Sequence, residues 1–248
     1  MGDNLYHEYD RLAPLLAAAP NLKHLAIPIV TGVLRNPFNI PELARLEKLD
    51  FSEDNSDDAE EETEKWSLAT GWAILCQAKD SLRDVALEAS NHIPYESTSL
   101  PLDSAISTLA CFTQVSALSI SGRCLDPIFR GCMINVAGRV LDKTDNSQLE
   151  EVAKRIFPLK IQRITIWDLM NLSIDLLGVL ARAKRRSPGL YTCLRMVSIR
   201  ASPSNRHWVP KVYMRQEIER LVPAFAGTEV NLDVDVRGHP GWPVTASW

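Results

Sequence analysis

A three-point apolar spacing at Leu22, Leu25 and Ile27 returns five times down the chain. The copies are Leu46/Leu49/Phe51, Leu82/Val85/Leu87, Val115/Leu118/Ile120, Ile161/Ile164/Ile166 and Leu194/Val197/Ile199. Each follows a candidate helix, so the unit is helix then strand, repeated. First positions are separated by 24, 36, 33, 46 and 33 residues, too uneven for a consensus array but natural for a degenerate one. Strands joined through helices run parallel. In an LxxLxI strand the second and third apolar residues point inward under the helices, and the residues alternating with them point away. A doubly wound sheet, covered on both faces, needs near-continuous apolar strands. These strands alternate, so the expected architecture is an α/β solenoid with a curved parallel sheet, helices on the convex side and one sheet face open.

The same alternation lists the open, concave face: His24 and Ala26; Lys48 and Asp50; Asp84, Ala86 and Glu88; Ala117, Ser119 and Ser121; Arg163, Thr165 and Trp167; Met196, Ser198 and Arg200. Acidic residues dominate the second and third strands. Arg163, Trp167 and Arg200 gather on the later ones, and Arg with Trp is a frequent composition of binding hot spots. The candidate protein-binding residues are therefore His24, Lys48, Asp50, Asp84, Glu88, Ser119, Arg163, Thr165, Trp167, Met196 and Arg200. For any single one of them, the competing reading is a merely solvated position.

The helical halves are also legible. Leu12, Leu15 and Leu16 are spaced i, i+3, i+4, and Trp66 to Lys79 carries Leu68, Trp72, Leu75 and Cys76 on one side. Ser173 to Ser187 reads as a helix with a Ser cap, ending in Arg182, Lys184, Arg185 and Arg186 before Pro188-Gly189. Cations there suit the helix dipole; "KRR" as an import or nucleic-acid signal is the weaker alternative. The expectation is a single domain over 1–248, with an acidic loop at 53–65, an insertion at 122–148 and a C-terminal cap and tail at 208–248. Eight carboxylates fall within the twelve residues 53–64, which suits a solvated loop or a tether for a basic partner. In the last segment, "MRQEIERLVPAFA" predicts a helix and Val230, Leu232, Val234 and Val236 a strand, together capping the stack. Gly238 to Trp248 reads as a frayed end.

At 248 residues and 46% hydrophobic, the chain can bury a large core. No apolar run approaches the roughly 18 residues of a membrane span, and the N-terminus lacks a signal-like apolar segment. Five irregularly spaced cysteines suit buried thiols in a reducing cytoplasm or nucleus. The net charge of −4 hides a split of −10 over residues 1–100 and +6 over 101–248. That asymmetry can orient a partner, but it is not the strongly basic balance of a nucleic-acid binder. Neither a membrane nor nucleic acid is expected as a partner.

Four phrases, "AKDSLRDVALEAS" (Ala78 to Ser90), "LACFTQVSALSI" (Leu109 to Ile120), "IFPLKIQRITI" (Ile156 to Ile166) and "AKRRSPGLYTCLRMVSI" (Ala183 to Ile199), carry a family resemblance. The chain resembles the leucine-rich-repeat region of F-box-type proteins from filamentous fungi. The resemblance implies a leucine-rich-repeat-like solenoid that binds a protein on its concave sheet and, in the family, presents it to a ubiquitin ligase through an N-terminal F-box. Here Leu12 stands so near Met1 that no F-box is expected before it. A ligase adaptor is expected as a partner only if an F-box is supplied elsewhere. The Asn that such repeats place three residues beyond the last strand position is also missing: Val30, Asp54, Ser90, Arg123, Leu169 and Ser202 stand there.

Catalytic patterns are sparse. No GxGxxG, Walker or GxSxG element occurs, and the five histidines are scattered without metal-ligand spacing. No cofactor or metal is expected, and the chain reads as a non-enzyme. The competing reading is an α/β enzyme with a site at strand-end loops, around Ser121 to Asp126, Asp168 and Ser202.

Overall fold

The computed structural model describes residues 12–29, 41–53, 74–87, 109–122, 124–125, 154–169, 171–200, 212–235 and 246–247. Within them, eight strands lie side by side in chain order. The strands are β1 (His24–Ile29), β2 (Lys48–Glu53), β3 (Asp84–Leu87), β4 (Ala117–Ser121), β5 (Arg163–Trp167), β6 (Met196–Arg200), β7 (Asn231–Asp235) and β8 (Ala246–Ser247). The first seven are mutually parallel, and β8 is antiparallel to β7. Helices α1 (Leu12–Ala18), α2 (Asn171–Arg186) and α3 (Val212–Phe225) precede β1, β6 and β7. Helical turns at 74–77, Leu109–Cys111 and 154–156 precede β3, β4 and β5. The fold is α/β, as expected from the sequence.

The spacing that begins each unit has a hydrogen-bond counterpart. Lys23 O accepts from Glu47 N and Lys48 N at 2.8 and 3.0 Å, and Glu47 O accepts from Arg83 N and Asp84 N at 2.8 and 3.1 Å. Arg83 O, Ser116 O and Gln162 O repeat the fork on the following pairs. One carbonyl thus receives the first two amides of the next rung, which holds the register His24, Lys48, Asp84, Ala117, Arg163, Met196, Asn231 in one row. A tight turn closes just before most rungs, with Leu22 N on Ala19 O, Leu46 N on Leu43 O, Val115 N on Phe112 O, Ile161 N on Pro158 O and Leu194 N on Tyr191 O, all at 3.0 to 3.2 Å. Backbone groups between helix and strand are thereby paired, as burial requires.

Side chains alternate as the spacing demands. Val85 and Leu87, Leu118 and Ile120, Ile164 and Ile166, Val197 and Ile199, and Leu232 and Val234 are buried in one cluster with helix residues Leu176, Leu177, Leu180, Ile218, Leu221 and Phe225. Burying each such side chain stabilises the fold by about 1.5–3 kcal/mol. Helices and the inward set therefore share one side of the sheet. The stack is less well sealed at its start: Leu22 and Leu25 are only partly buried, and Leu15 of α1 is 64% exposed, although its spacing with Leu12 and Leu16 suggests a shared apolar face.

Several expectations need correction. The C-terminal segment is not only a cap, because β7 continues the parallel row in register as a seventh rung. Its first position is Glu229 rather than an apolar residue, with φ at 61°, and Val230 takes the buried place instead. The chain end is not wholly frayed, since Val234 pairs with Ala246 and Asp233 with Ser247 on the edge that β7 would otherwise leave open. Ser173 does not cap its helix: α2 begins at Asn171, and Ser173 is buried within its first turn. Lys79 lies in the turn after helical residues 74–77, and Glu53 ends β2 rather than starting the acidic loop. The rest of that loop, most of the 122–148 insertion, Glu88, Asp126 and Ser202 lie outside the described residues.

Candidate protein-interaction surface

The face opposite the core is a grid whose rows run across the strands. Its first row is His24, Lys48, Asp84, Ala117, Arg163, Met196 and Asn231; its second is Ala26, Asp50, Ala86, Ser119, Thr165, Ser198 and Asp233. A third, at the strand ends, includes Ser121, Trp167, Arg200 and Asp235. His24, Lys48 and Arg163 are exposed, while Asp50, Asp84, Ser119, Thr165, Trp167, Met196 and Arg200 are partly exposed. The ten described candidate residues therefore share one face, because adjacent parallel strands hold the same register and side chains alternate.

Two of the expected hot-spot side chains are already engaged. Trp167 donates its indole N–H to Ser119 Oγ at 2.5 Å, crossing from β5 to β4. Its ring is thus fixed, and what it offers outward is ring surface rather than a donor. Arg200 donates to Asp235 Oδ2 at 2.8 Å and to Asp233 Oδ2 at 2.5 Å. The two aspartates outnumber the guanidinium, so this corner carries no excess positive charge. Asp233 and Asp235 are absent from the sequence-derived surface because β7 reads there as a cap, although the alternation around Leu232 and Val234 contains the signal. Ser198, expected to face outward, is fully buried, and its hydroxyl has no hydrogen-bond partner among the described residues.

At the other end of the sheet, Lys23 and Glu47 pair at 3.2 Å across the starts of β1 and β2. The Lys23 hydrogen bond and charge, with help from Arg83 and His24, hold the Glu47 carboxyl below its usual range. Lys48 has Asp84 beside it in register, whereas Arg163 lies between Ala117 and Met196.

Two described residues of the enzyme reading, Ser121 and Asp168, make local hydrogen bonds. Ser121 accepts from Cys124 N–H at 3.2 Å and so caps the helical turn that follows β4. Asp168 is buried in the left-handed region, φ 48°, and its N–H donates to Arg200 O at 3.0 Å. Burial raises the Cys76 thiol, and burial together with Cys76 raises Cys111 to about 11, so both are protonated and poorly nucleophilic near neutral pH. Among the described residues, no group of three His, Cys, Asp or Glu side chains is disposed to hold a metal ion. A cavity of about 10 Å³ lies between the helical turns and the sheet, lined by Leu75, Val85, Leu109, Phe112, Val115, Leu118 and Pro158. It is apolar and no larger than a water molecule requires.

The basic end of α2 is likewise partly engaged by the fold. Lys184 is buried and donates to Tyr191 O at 3.0 Å; Arg185 reaches the carbonyls of Pro223, Ala224 and Ala226 at 2.6, 2.8 and 3.0 Å. Two of the three cations of "KRR" thus tie helix to helix and helix to turn. No described helix is long and apolar enough to cross a membrane.

No protein-family model, curated protein or solved structure matches the chain.

Proposed function

We propose that the chain is a non-catalytic protein-interaction scaffold: a leucine-rich-repeat-like solenoid that receives a protein partner on its open, concave sheet face. The observation that carries this reading is the unbroken order of β1 to β7, all parallel, with the buried helix-side residues of the described strands in one core. Open α/β sheets with ligand crevices place them where the strand order reverses. The described strands contain no reversal, and their outward side chains share one face instead. Extended surfaces of this kind are how stacked-repeat proteins engage other proteins.

The proposed setting is substrate recognition in a ubiquitin-ligase-like context, in the cytoplasm or nucleus. It rests on the resemblance of the repeat phrases and on the cysteine usage. In that setting an adaptor would join through an F-box. The test is affinity capture of the intact chain from its own cells beside a Thr165→Arg variant, whose substitution lies in the middle of the face. Proteins retained by the wild type and lost from the variant are expected, with a ligase adaptor among the co-purifying proteins. Identical captures from both would remove the sheet face as the binding surface, and absence of an adaptor would remove the ubiquitin link alone.

A further inference from the structure

We infer that the patch of β4 to β6 accepts an extended protein segment bearing a carboxylate side chain, placed against Arg163. This inference rests on the scaffold reading and adds the partner's chemistry to it.

Charge balance on the face carries the argument. Cations elsewhere on it or at its rim have carboxylates close by: Lys23, just before β1, has Glu47 at 3.2 Å, Lys48 has Asp84 in register, and Arg200 is held by Asp233 and Asp235. Arg163 is exposed, its row neighbours are Ala117 and Met196, and it makes no ion pair among the described residues. Next to it along β5 come Thr165 and Trp167, and beside Thr165 are Ser119 and Ser198. Of the two guanidinium groups on this patch, Arg200 is neutralised by Asp233 and Asp235, and Arg163 is the one with no carboxylate beside it among the described residues.

That guanidinium presents a planar fork suited to two carboxylate oxygens. Trp167 stands four residues away on the same face, about 13 Å along the strand. Its N–H is occupied by Ser119, so its ring adds apolar contact and no competing donor. An acidic residue followed along the segment by an apolar one matches this arrangement, whereas a basic residue at the same place would meet Arg163 with like charge.

The test uses the full chain and two fluorescein-labelled pools of acetylated decapeptides with random flanks, one with Glu fixed at the centre and one with Lys. In low-salt fluorescence polarisation the Glu pool should bind about threefold to fivefold tighter, the range of a partly exposed ion pair. Arg163→Ala should remove the preference and Arg163→Glu should invert it. Arg186→Ala, exposed on α2 and away from the face, should leave it unchanged. Circular dichroism checks that each variant is folded. Equal binding of the pools, no binding of either, or a preference that survives Arg163→Glu would overturn the inference. Equal binding that is lost in Thr165→Arg would do so while leaving the scaffold reading in place.

Discussion

Arg200 on β6 donates to Asp235 on β7 at 2.8 Å, with the aspartate side chain 9% exposed and the arginine 30%. The same guanidinium also holds Asp233. Removing it leaves two neighbouring carboxylates, one of them nearly buried, with their shared cation gone. Arg200→Ala should lower unfolding stability by about 2 kcal/mol, less than a fully buried pair because the arginine keeps contact with water. Urea denaturation reads the loss. A smaller loss in the Arg200→Ala/Asp235→Ala double variant would show the coupling between the two.

Arg185 and Arg186 are neighbours in sequence with different tasks. Arg185 serves three carbonyls at and beyond the end of α3, including that of Pro223, while Arg186 is exposed. Arg185→Ala should cost about 1–2 kcal/mol and increase amide exchange across 224–230. Arg186→Ala should stay within about 0.5 kcal/mol of wild type. A pair of equal effects would refute the assignment.

Core substitutions should rank by position in the stack. Leu118 in β4 is 2% exposed between flanking rungs, so Leu118→Ala should cost about 3 kcal/mol. Leu25 in β1 is only partly buried at the first rung, and Leu25→Ala should cost about 1 kcal/mol. Chemical denaturation of the two variants tests the ranking, which equal losses would contradict.

The Cys111 thiol rises from 9.0 to about 11 through burial, with Cys76 adding to the effect. The folded state therefore keeps a proton that the unfolded chain gives up sooner. Its contribution to stability is present below about 9 and is lost as pH rises toward 11. At pH 8, Cys111 should alkylate about a hundredfold more slowly than an unperturbed thiol, and urea should restore the ordinary rate. Mass mapping of iodoacetamide adducts at Cys111 measures both. Equal rates in the folded and unfolded chain would be inconsistent with its burial.

Six of the seven parallel rungs were legible because inward positions on a strand must be apolar, and the spacing around Leu118/Ile120 or Ile164/Ile166 states that directly. The seventh hides behind Glu229: a left-handed turn shifts the buried residue to Val230, and the three-point spacing is broken there. That one substitution also concealed Asp233 and Asp235, and with them the neutralisation of Arg200. Reading Ser173 as a cap failed for a related reason. A serine near a helix start looks the same in sequence whether it precedes the first turn or is buried within it. Charge on the open face is legible residue by residue, but its balance depends on cross-strand register, which only the assembled sheet supplies.

The central claim is that this open sheet face is where a protein binds, and site-specific photo-crosslinking tests it most directly. A benzophenone amino acid placed at Thr165, in the middle of the face, should yield discrete high-mass adducts in the chain's own cells. The same probe at Arg182, exposed on α2, should yield few. Adducts from Arg182 with none from Thr165 would contradict the account.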